Sequence, residues 1–167
     1  LAGVVGTSRL ADLYGVNEQG AGNVAEQCAR QPEPPILMHV SSLAAAGPSL
    51  TGEARVEGEP ARPISHYGRS KRLGEKAVER YADRVPISVV RPAIVFGEGD
   101  RQCVHMFRLV HRWGVHVIPS YGARKFSMIH AEDLASLLVR VAESGERLAA
   151  EPPLNGDGRR QGYYFAA

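Results

Sequence analysis

Tyr67 and Lys71 lie four residues apart in a stretch that has helical periodicity. Residues with this spacing share one face of a helix and lie about one turn apart. A free tyrosine has a pKa of about 10, and a nearby ammonium group favours the phenolate and lowers that pKa. Proton transfer is most efficient when the pKa of the donor or acceptor approaches the working pH. The spacing therefore predicts a tyrosine–lysine pair that acts as a general acid or base.

Ser42 adds a hydroxyl group to this pair. It follows the apolar run 36–40, which predicts a buried strand in a parallel sheet. A hydroxyl group at the end of such a strand can hold a carbonyl or alkoxide oxygen beside a tyrosine. A tyrosine and a lysine four residues apart occur by chance in many helices. The interpretation therefore depends on Ser42 and on the elements that position all three residues.

Those elements alternate between helix and strand. Hydrophobic periodicity predicts helices over about 9–30, 65–84, 104–113 and 131–144, and strands over 36–40, 87–90, 116–118 and 163–165. Residues 43–64 are rich in Gly, Pro and Glu, which favours a loop. The alternation predicts an α/β fold with a parallel sheet. Ligands bind such sheets beyond the carboxyl ends of the strands, where Ser42 and the Arg91-Pro92 pair are expected. The predicted apolar face of the first helix consists of Leu10, Leu13, Tyr14, Val24 and Cys28.

The composition narrows the classes of partner. The 167 residues carry a formal net charge of +2, which is too small to indicate a nucleic-acid or membrane partner. No apolar run reaches the length of a membrane span, and we expect no signal peptide, because no charged-then-apolar segment appears at the start of the given sequence. The two cysteines form no Cys-x-x-Cys motif, and the six histidines have no metal-ligand spacing, so no metal site is expected. These features favour a cytoplasmic protein with reduced thiols.

Several motifs together resemble the extended short-chain dehydrogenase/reductase superfamily, which includes the NAD-dependent epimerases and dehydratases. The family pattern "SS…YxxSKxxGE…RPxxVxG" matches Ser41-Ser42, the stretch from Tyr67 to Glu75, and the stretch from Arg91 to Gly97. Residues 17–23 resemble the family's "NxxGTxN" helix, and residues 127–135 resemble its "HVxDhA" stretch. The resemblance covers nearly the whole chain.

The resemblance implies a role for each matching residue. Tyr67 would be the acid/base, Lys71 would lower its pKa and bond the nicotinamide ribose, and Ser42 would position the substrate oxygen. Asn17 would support the active site. Ala2, Gly3, Pro92 and Val95 would lie near the cofactor, which would be NAD or NADP. The partner would be a small molecule with a hydroxyl or carbonyl group, and family members often form homodimers through the helix that carries Tyr67.

The sequence also departs from the family pattern. It has no strand–Gly-x-x-Gly-x-x-Gly–helix motif, whose glycines bring the backbone close to the pyrophosphate. We therefore expect a fragment, inactive alone, of a Rossmann-like doubly wound fold that lacks its first βαβ units. Residues 1–118 would be the later part of the dinucleotide-binding domain, and 119–167 part of an interleaved substrate-binding region.

Three functions remain open from the sequence. The first is an NAD(P)-dependent oxidoreductase, epimerase or dehydratase, with hydride transfer and tyrosine acid/base catalysis in the complete protein. The second is a non-catalytic dinucleotide-binding or scaffold relative, and the third is a gene fragment without a function of its own. Within the first, the run Ala45-Ala46-Gly47-Pro48 favours the branch of hydroxysteroid dehydrogenases and dihydroflavonol reductases over sugar-nucleotide enzymes.

Overall fold

The structure is a computed structural model that describes residues 3–5, 9–50, 52–114, 126–149 and 161–167. The elements in chain order are α1 Leu10–Tyr14, a π-helical segment Gly15–Gly20, α2 Ala21–Ala29, β1 Leu37–Val40, α3 Leu43–Ala46, α4 His66–Glu79, β2 Ile87–Pro92, β3 Ile94–Phe96, α5 Arg101–Trp113, β4 Met128–His130, α6 Ala131–Ser144 and β5 Tyr163–Ala166.

The strands are parallel, as the alternating pattern predicts. Within the described residues, one sheet has the order β1-β2-β5 and a second, smaller sheet pairs β3 with β4. The central strand β2 is buried along its whole length, whereas every residue of β1 is partly exposed. The carboxyl ends of β1 and β2 lie side by side, because Val40 is in register with Val90.

Apolar side chains cover both faces of the main sheet. On one face, Ile87 and Val89 of β2 pack against Ala25 of α2 and Val78 of α4. On the other face, β2 and β5 pack against α6, in a cluster that includes Val90, Leu134, Val141 and Ala166. Helices on both faces of a parallel sheet give the doubly wound α/β architecture that the sequence predicts.

The elements differ from the predictions in several places, and the short strands β3 and β4 are not among the predicted strands. The predicted loop 43–64 begins with the short helix α3, because the Ser42 hydroxyl caps its first turn by accepting a hydrogen bond from the Ala44 amide. The predicted helix 65–84 ends at Glu79, and residues 81–84 form turns. Leu10 and Val24, predicted on a buried face, are exposed. Leu10 is the first residue of α1, and Val24 follows the π-helical segment, which shifts the helical register. The predicted strand 116–118 lies outside the described residues.

Close packing between the π-helical segment and α4 depends on one glycine. A Cβ atom at Gly74 would overlap the carbonyl oxygen of Asn17. The missing side chain therefore lets the two backbones touch at the level of Asn17. In the described part of the chain, no helix is both long and apolar enough to cross a membrane.

Candidate active site

Ser42 and Tyr67 meet at the carboxyl end of β1. Ser42 is held at the start of α3, where its Oγ accepts a hydrogen bond from the Ala44 amide at 3.2 Å. The first turn of α4 packs directly on α3, because a Cβ atom at Gly68 would overlap the Ala44 carbonyl oxygen. This close approach brings the Tyr67 phenol beside the Ser42 hydroxyl.

The environment of Tyr67 favours the protonated phenol. Burial raises the pKa of Tyr67 above its ordinary value of 10, while the nearby Ser42 hydroxyl acts in the opposite direction. The sequence predicts that Lys71 lowers this pKa. In the structure the burial of the phenol sets the net direction, which is upward, and the lowering by Lys71 stays a prediction.

Lys71 links α4 to β1. Its Nζ donates a hydrogen bond to the carbonyl oxygen of Val40 at 2.7 Å, and the residue is 6% exposed. Burial lowers the pKa of Lys71, and the carboxylate of Glu75, one turn further along α4, partly opposes that change. Lys71 therefore lies one turn from Tyr67 on the same helix and next to the strand end that carries Ser42.

Asn17 connects the start of the described chain to α4. Its side chain pairs with the Val4 backbone, accepting from the amide at 3.0 Å and donating to the carbonyl at 2.9 Å. The same Nδ2 also donates to the Ser70 hydroxyl at 3.0 Å, and Ser70 donates to the Tyr67 carbonyl oxygen at 2.8 Å. Asn17 is buried within the π-helical segment, a type of segment frequent at functional sites. These contacts fit the supporting role that the resemblance implies.

The residues expected near a cofactor differ in their burial and in their distance from Asn17 and Lys71. Gly3 lies close to both site side chains, since a Cβ atom there would be 3.5 Å from Asn17 Oδ1 and 4.0 Å from Lys71 Nζ. Pro92 is buried at the carboxyl end of β2, and Val95 is 40% exposed in β3. Ala2 lies outside the described residues.

A buried ion pair beneath the site has no role in the sequence-based prediction. Glu75 and Arg91 are 0% and 2% exposed, and they form two hydrogen bonds, of 2.8 Å and 2.7 Å. The sequence contained a usable sign of this pair. Arg91 ends an apolar strand, and Glu75 lies four residues after Lys71 on the buried face of α4. Charged side chains at buried positions need partners of opposite charge, so the two residues could have been paired.

The donors at the site fit the nicotinamide–ribose part of NAD or NADP. An ammonium group has three protons, and the described contacts of Lys71 use one of them, on Val40. The others are available for ribose hydroxyl groups, beside a phenol and a serine hydroxyl that suit the reacting oxygen of a substrate. Among the described residues, no three His, Cys, Asp or Glu side chains cluster as they would around a metal ion.

Known proteins share both the sequence pattern and the fold. The model of the NAD dependent epimerase/dehydratase family matches residues 3–155. A ceramide reductase of Caulobacter vibrioides is 37% identical over 139 residues, which cover 83% of this chain and 38% of that protein.

Two solved structures have the same architecture. A UDP-glucuronic acid 4-epimerase of Bacillus cereus, in complex with UDP-glucuronic acid and NAD, has a TM-score of 0.75 at 19% identity, with 88% of this chain and 49% of that chain covered. A human epimerase family protein with NADPH has a TM-score of 0.72 at 25% identity, with coverages of 86% and 51%. The chain thus spans about half the length of these structures, and less of the ceramide reductase. The family match over most of the chain, together with the Rossmann-like fold, shows that this chain belongs to the NAD-dependent epimerase/dehydratase family.

Proposed function

We propose that the chain supplies the catalytic residues of an NAD(P)-dependent reductase that converts a carbonyl group into a secondary alcohol. The observation that carries this proposal is the position of the Tyr67 phenol beside the Ser42 hydroxyl, with Lys71 one turn away on the same helix. The family to which the chain belongs and the ceramide reductase relative support a reaction of this type.

Each residue has a task in this reaction. The bound dihydronicotinamide supplies the hydride that reduces the carbonyl carbon. Ser42 donates a hydrogen bond to the carbonyl oxygen, which becomes more negative as the carbon is reduced. Tyr67 transfers its proton to that oxygen and recovers a proton from solvent. The raised pKa of Tyr67 supports the reductive direction, because the phenol holds its proton near neutral pH.

Lys71 has two tasks. Its ammonium group holds the ribose hydroxyls, and it stabilises the phenolate that Tyr67 forms after proton transfer. The hydrogen bond to the Val40 carbonyl oxygen keeps the ammonium group at the strand end while this happens.

We propose a substrate with apolar groups around its carbonyl. The sequence-based preference for the hydroxysteroid and dihydroflavonol branch came from Ala45 and Ala46, which are buried in α3 and do not reach a substrate directly. Support comes instead from the ceramide reductase relative and from Ile94, Val95 and Phe96, which expose apolar side chains just after β2.

Two further features are part of the proposal. Residues 1–118 belong to the dinucleotide-binding domain and 119–167 to an interleaved substrate region, although β5 of the latter pairs with β2 in the main sheet. We also propose that the complete protein forms a homodimer through α4, as the family resemblance implies.

The first test is calorimetric titration of the 167-residue chain with NADH and with NADPH. We expect no binding, because the sequence lacks the glycine-rich loop that holds the pyrophosphate. Micromolar binding would contradict the proposal that this chain supplies the catalytic part alone.

The second test is turnover by the full-length protein, assayed with apolar ketones and with UDP-sugars. Tyr67→Phe should lower kcat by at least about 100-fold, the lower end of what a general acid typically contributes, while the Kd for the cofactor stays within a factor of two or three. Tyr81→Phe, on the turn after α4, is the matched control and should retain turnover. Unchanged turnover in Tyr67→Phe would refute the proposed mechanism, and turnover of UDP-sugars alone would refute the substrate class.

A further inference from the structure

The Glu75 carboxylate accepts hydrogen bonds from three parts of the fold. It accepts hydrogen bonds from Ser41 Oγ at 2.5 Å, from Arg91 Nε and Nη2 at 2.8 Å and 2.7 Å, and from Arg72 Nη1 at 2.9 Å. Ser41 follows β1, Arg91 belongs to β2, and Arg72 precedes Glu75 on α4. Four donors satisfy a fully buried carboxylate, which removes the large cost of burying an unpaired charge.

The partners of Glu75 are themselves fixed. The Arg91 guanidinium lies over the ring of Tyr163 at 4.7 Å from its centroid, and over the ring of Phe165 at 5.6 Å. The Ser41 amide donates to the Val90 carbonyl oxygen at 2.7 Å. Glu75 therefore connects α4 to a rigid part of the sheet rather than to a mobile surface.

Glu75 is connected to the proposed active site in two ways. Ser41 is followed directly by Ser42, so the hydrogen bond to Glu75 fixes the strand end that carries the Ser42 hydroxyl. Glu75 itself lies one turn from Lys71 and two turns from Tyr67 on α4. A buried ion pair contributes little net stability compared with a well-packed apolar pair, so stability alone is a weak reason for this arrangement.

Glu75 also affects the charge of Lys71. Burial lowers the pKa of Lys71, and the negative charge of Glu75 opposes that effect. Without this carboxylate, the ammonium form of Lys71 would be less favoured. The same side chain thus influences both where the site residues lie and which charge Lys71 carries.

We propose that Glu75 is a positioning residue of the active site, which holds Ser42 in register with Tyr67 through Ser41 and stabilises the Lys71 ammonium group one turn away on α4. This proposal rests on the proposed function for its effect on turnover. Its effect on the pKa of Lys71 does not depend on the proposed function and can be measured without an activity assay.

The test uses a matched pair of serine variants. Ser41→Ala removes the hydrogen bond from the strand end to Glu75 and leaves the ion pair with Arg91 in place. Ser88→Ala is the control, because Ser88 is also buried and lies on the neighbouring strand, where it donates to the Glu146 carbonyl oxygen at 2.8 Å. Ser41→Thr retains the hydroxyl group and serves as the rescue variant.

In the full-length protein, we expect Ser41→Ala to lower kcat by about 10- to 100-fold, the range that follows from a small misplacement of reacting groups. KM should change by less than about a factor of three, because the groups that bind the substrate remain. Ser88→Ala should retain kcat, and Ser41→Thr should recover most of it. Equal losses of kcat in the two alanine variants would mean that the role is structural and would overturn the proposal.

The second arm measures the Lys71 ammonium group by NMR titration of lysine-labelled protein, with and without Glu75→Gln. Loss of the carboxylate should move the titration of Lys71 to lower pH, and an unmoved titration overturns the proposal. Absence of turnover in the unmodified protein would instead refute the proposed function. The NMR titration would still decide whether Glu75 controls Lys71, so the two failures are distinguishable.

Discussion

His39 should make the stability of this protein sensitive to mild acid. The ring lies on the face of β1 that packs against α4, and its Nε2 is buried without a hydrogen-bond partner among the described residues. Burial, with the nearby Lys71 ammonium group, lowers the pKa of His39 from 6.5 to about 4, while Glu75 and Glu79 act weakly in the opposite direction. The folded protein therefore keeps this imidazole neutral at pH values where the unfolded chain is protonated.

The direction of the effect follows from this difference. Above pH 6.5 the imidazole is neutral in both states, and His39 has no influence on the pH dependence of stability. As the pH falls from 6.5 to about 4, the unfolded state binds a proton that the folded state does not, so the free energy of unfolding decreases. At 1.36 kcal/mol per pKa unit, the loss is about 2 kcal/mol at pH 5 and about 3 kcal/mol once both states are protonated.

The assay is urea unfolding of the chain and of His39→Gln, at intervals from pH 7 to pH 3.5. Carboxylates contribute equally to both proteins, so the difference between the two curves isolates His39. We expect the unmodified chain to lose about 3 kcal/mol more than the variant over this range. His111→Gln, at an exposed position of α5, is the control and should follow the unmodified chain. Parallel curves for the unmodified chain and His39→Gln would refute the reasoning, whatever their offset at pH 7.

Two further predictions concern the packing of α4, and both are measured by urea unfolding at pH 7. Gly74→Ala should destabilise the fold by about 1–3 kcal/mol, because the added Cβ overlaps the Asn17 carbonyl oxygen. Gly15→Ala, where a Cβ meets nothing within 4 Å, should be neutral or stabilising by up to about 1 kcal/mol, and equal losses in the two variants would contradict the packing argument. Asn17→Ala should cost about 1–3 kcal/mol, because it leaves the Val4 backbone and a buried hydroxyl without their partner. Asn23→Ala, at an exposed position of α2, should cost far less, and a similar cost would show that the Asn17 contacts contribute little.

Local sequence patterns predicted many of the helices and strands. The helix Ala131–Ser144 has the predicted bounds, and β1, β2 and β5 lie where short apolar runs predict buried strands. These elements were predictable because periodicity reports which face of an element is buried. The register of the first long helix was not predictable, because the apolar pattern contains no sign of the π-helical segment that precedes the exposed Val24.

The residues of the candidate site were likewise predictable only in part from local patterns. Residue types and spacing identified Ser42, Tyr67 and Lys71, since a helix of known pitch fixes which side chains share a face. The family resemblance added Asn17, whose position between Val4 and Ser70 depends on three segments that are distant in sequence.

The sequence by itself determined the fold class, the alternation of the long helices with the strands of the main sheet and the chemical groups of the site, because these follow from local periodicity and residue type. Only the tertiary structure decided the environment of the ionisable groups. Burial shifts the pKa values of Tyr67, Lys71 and His39, and charges on α4 also act on Lys71 and His39. The role we propose for Glu75 has the same origin, because Ser41 and Arg91 reach its carboxylate only when the helix packs on the sheet.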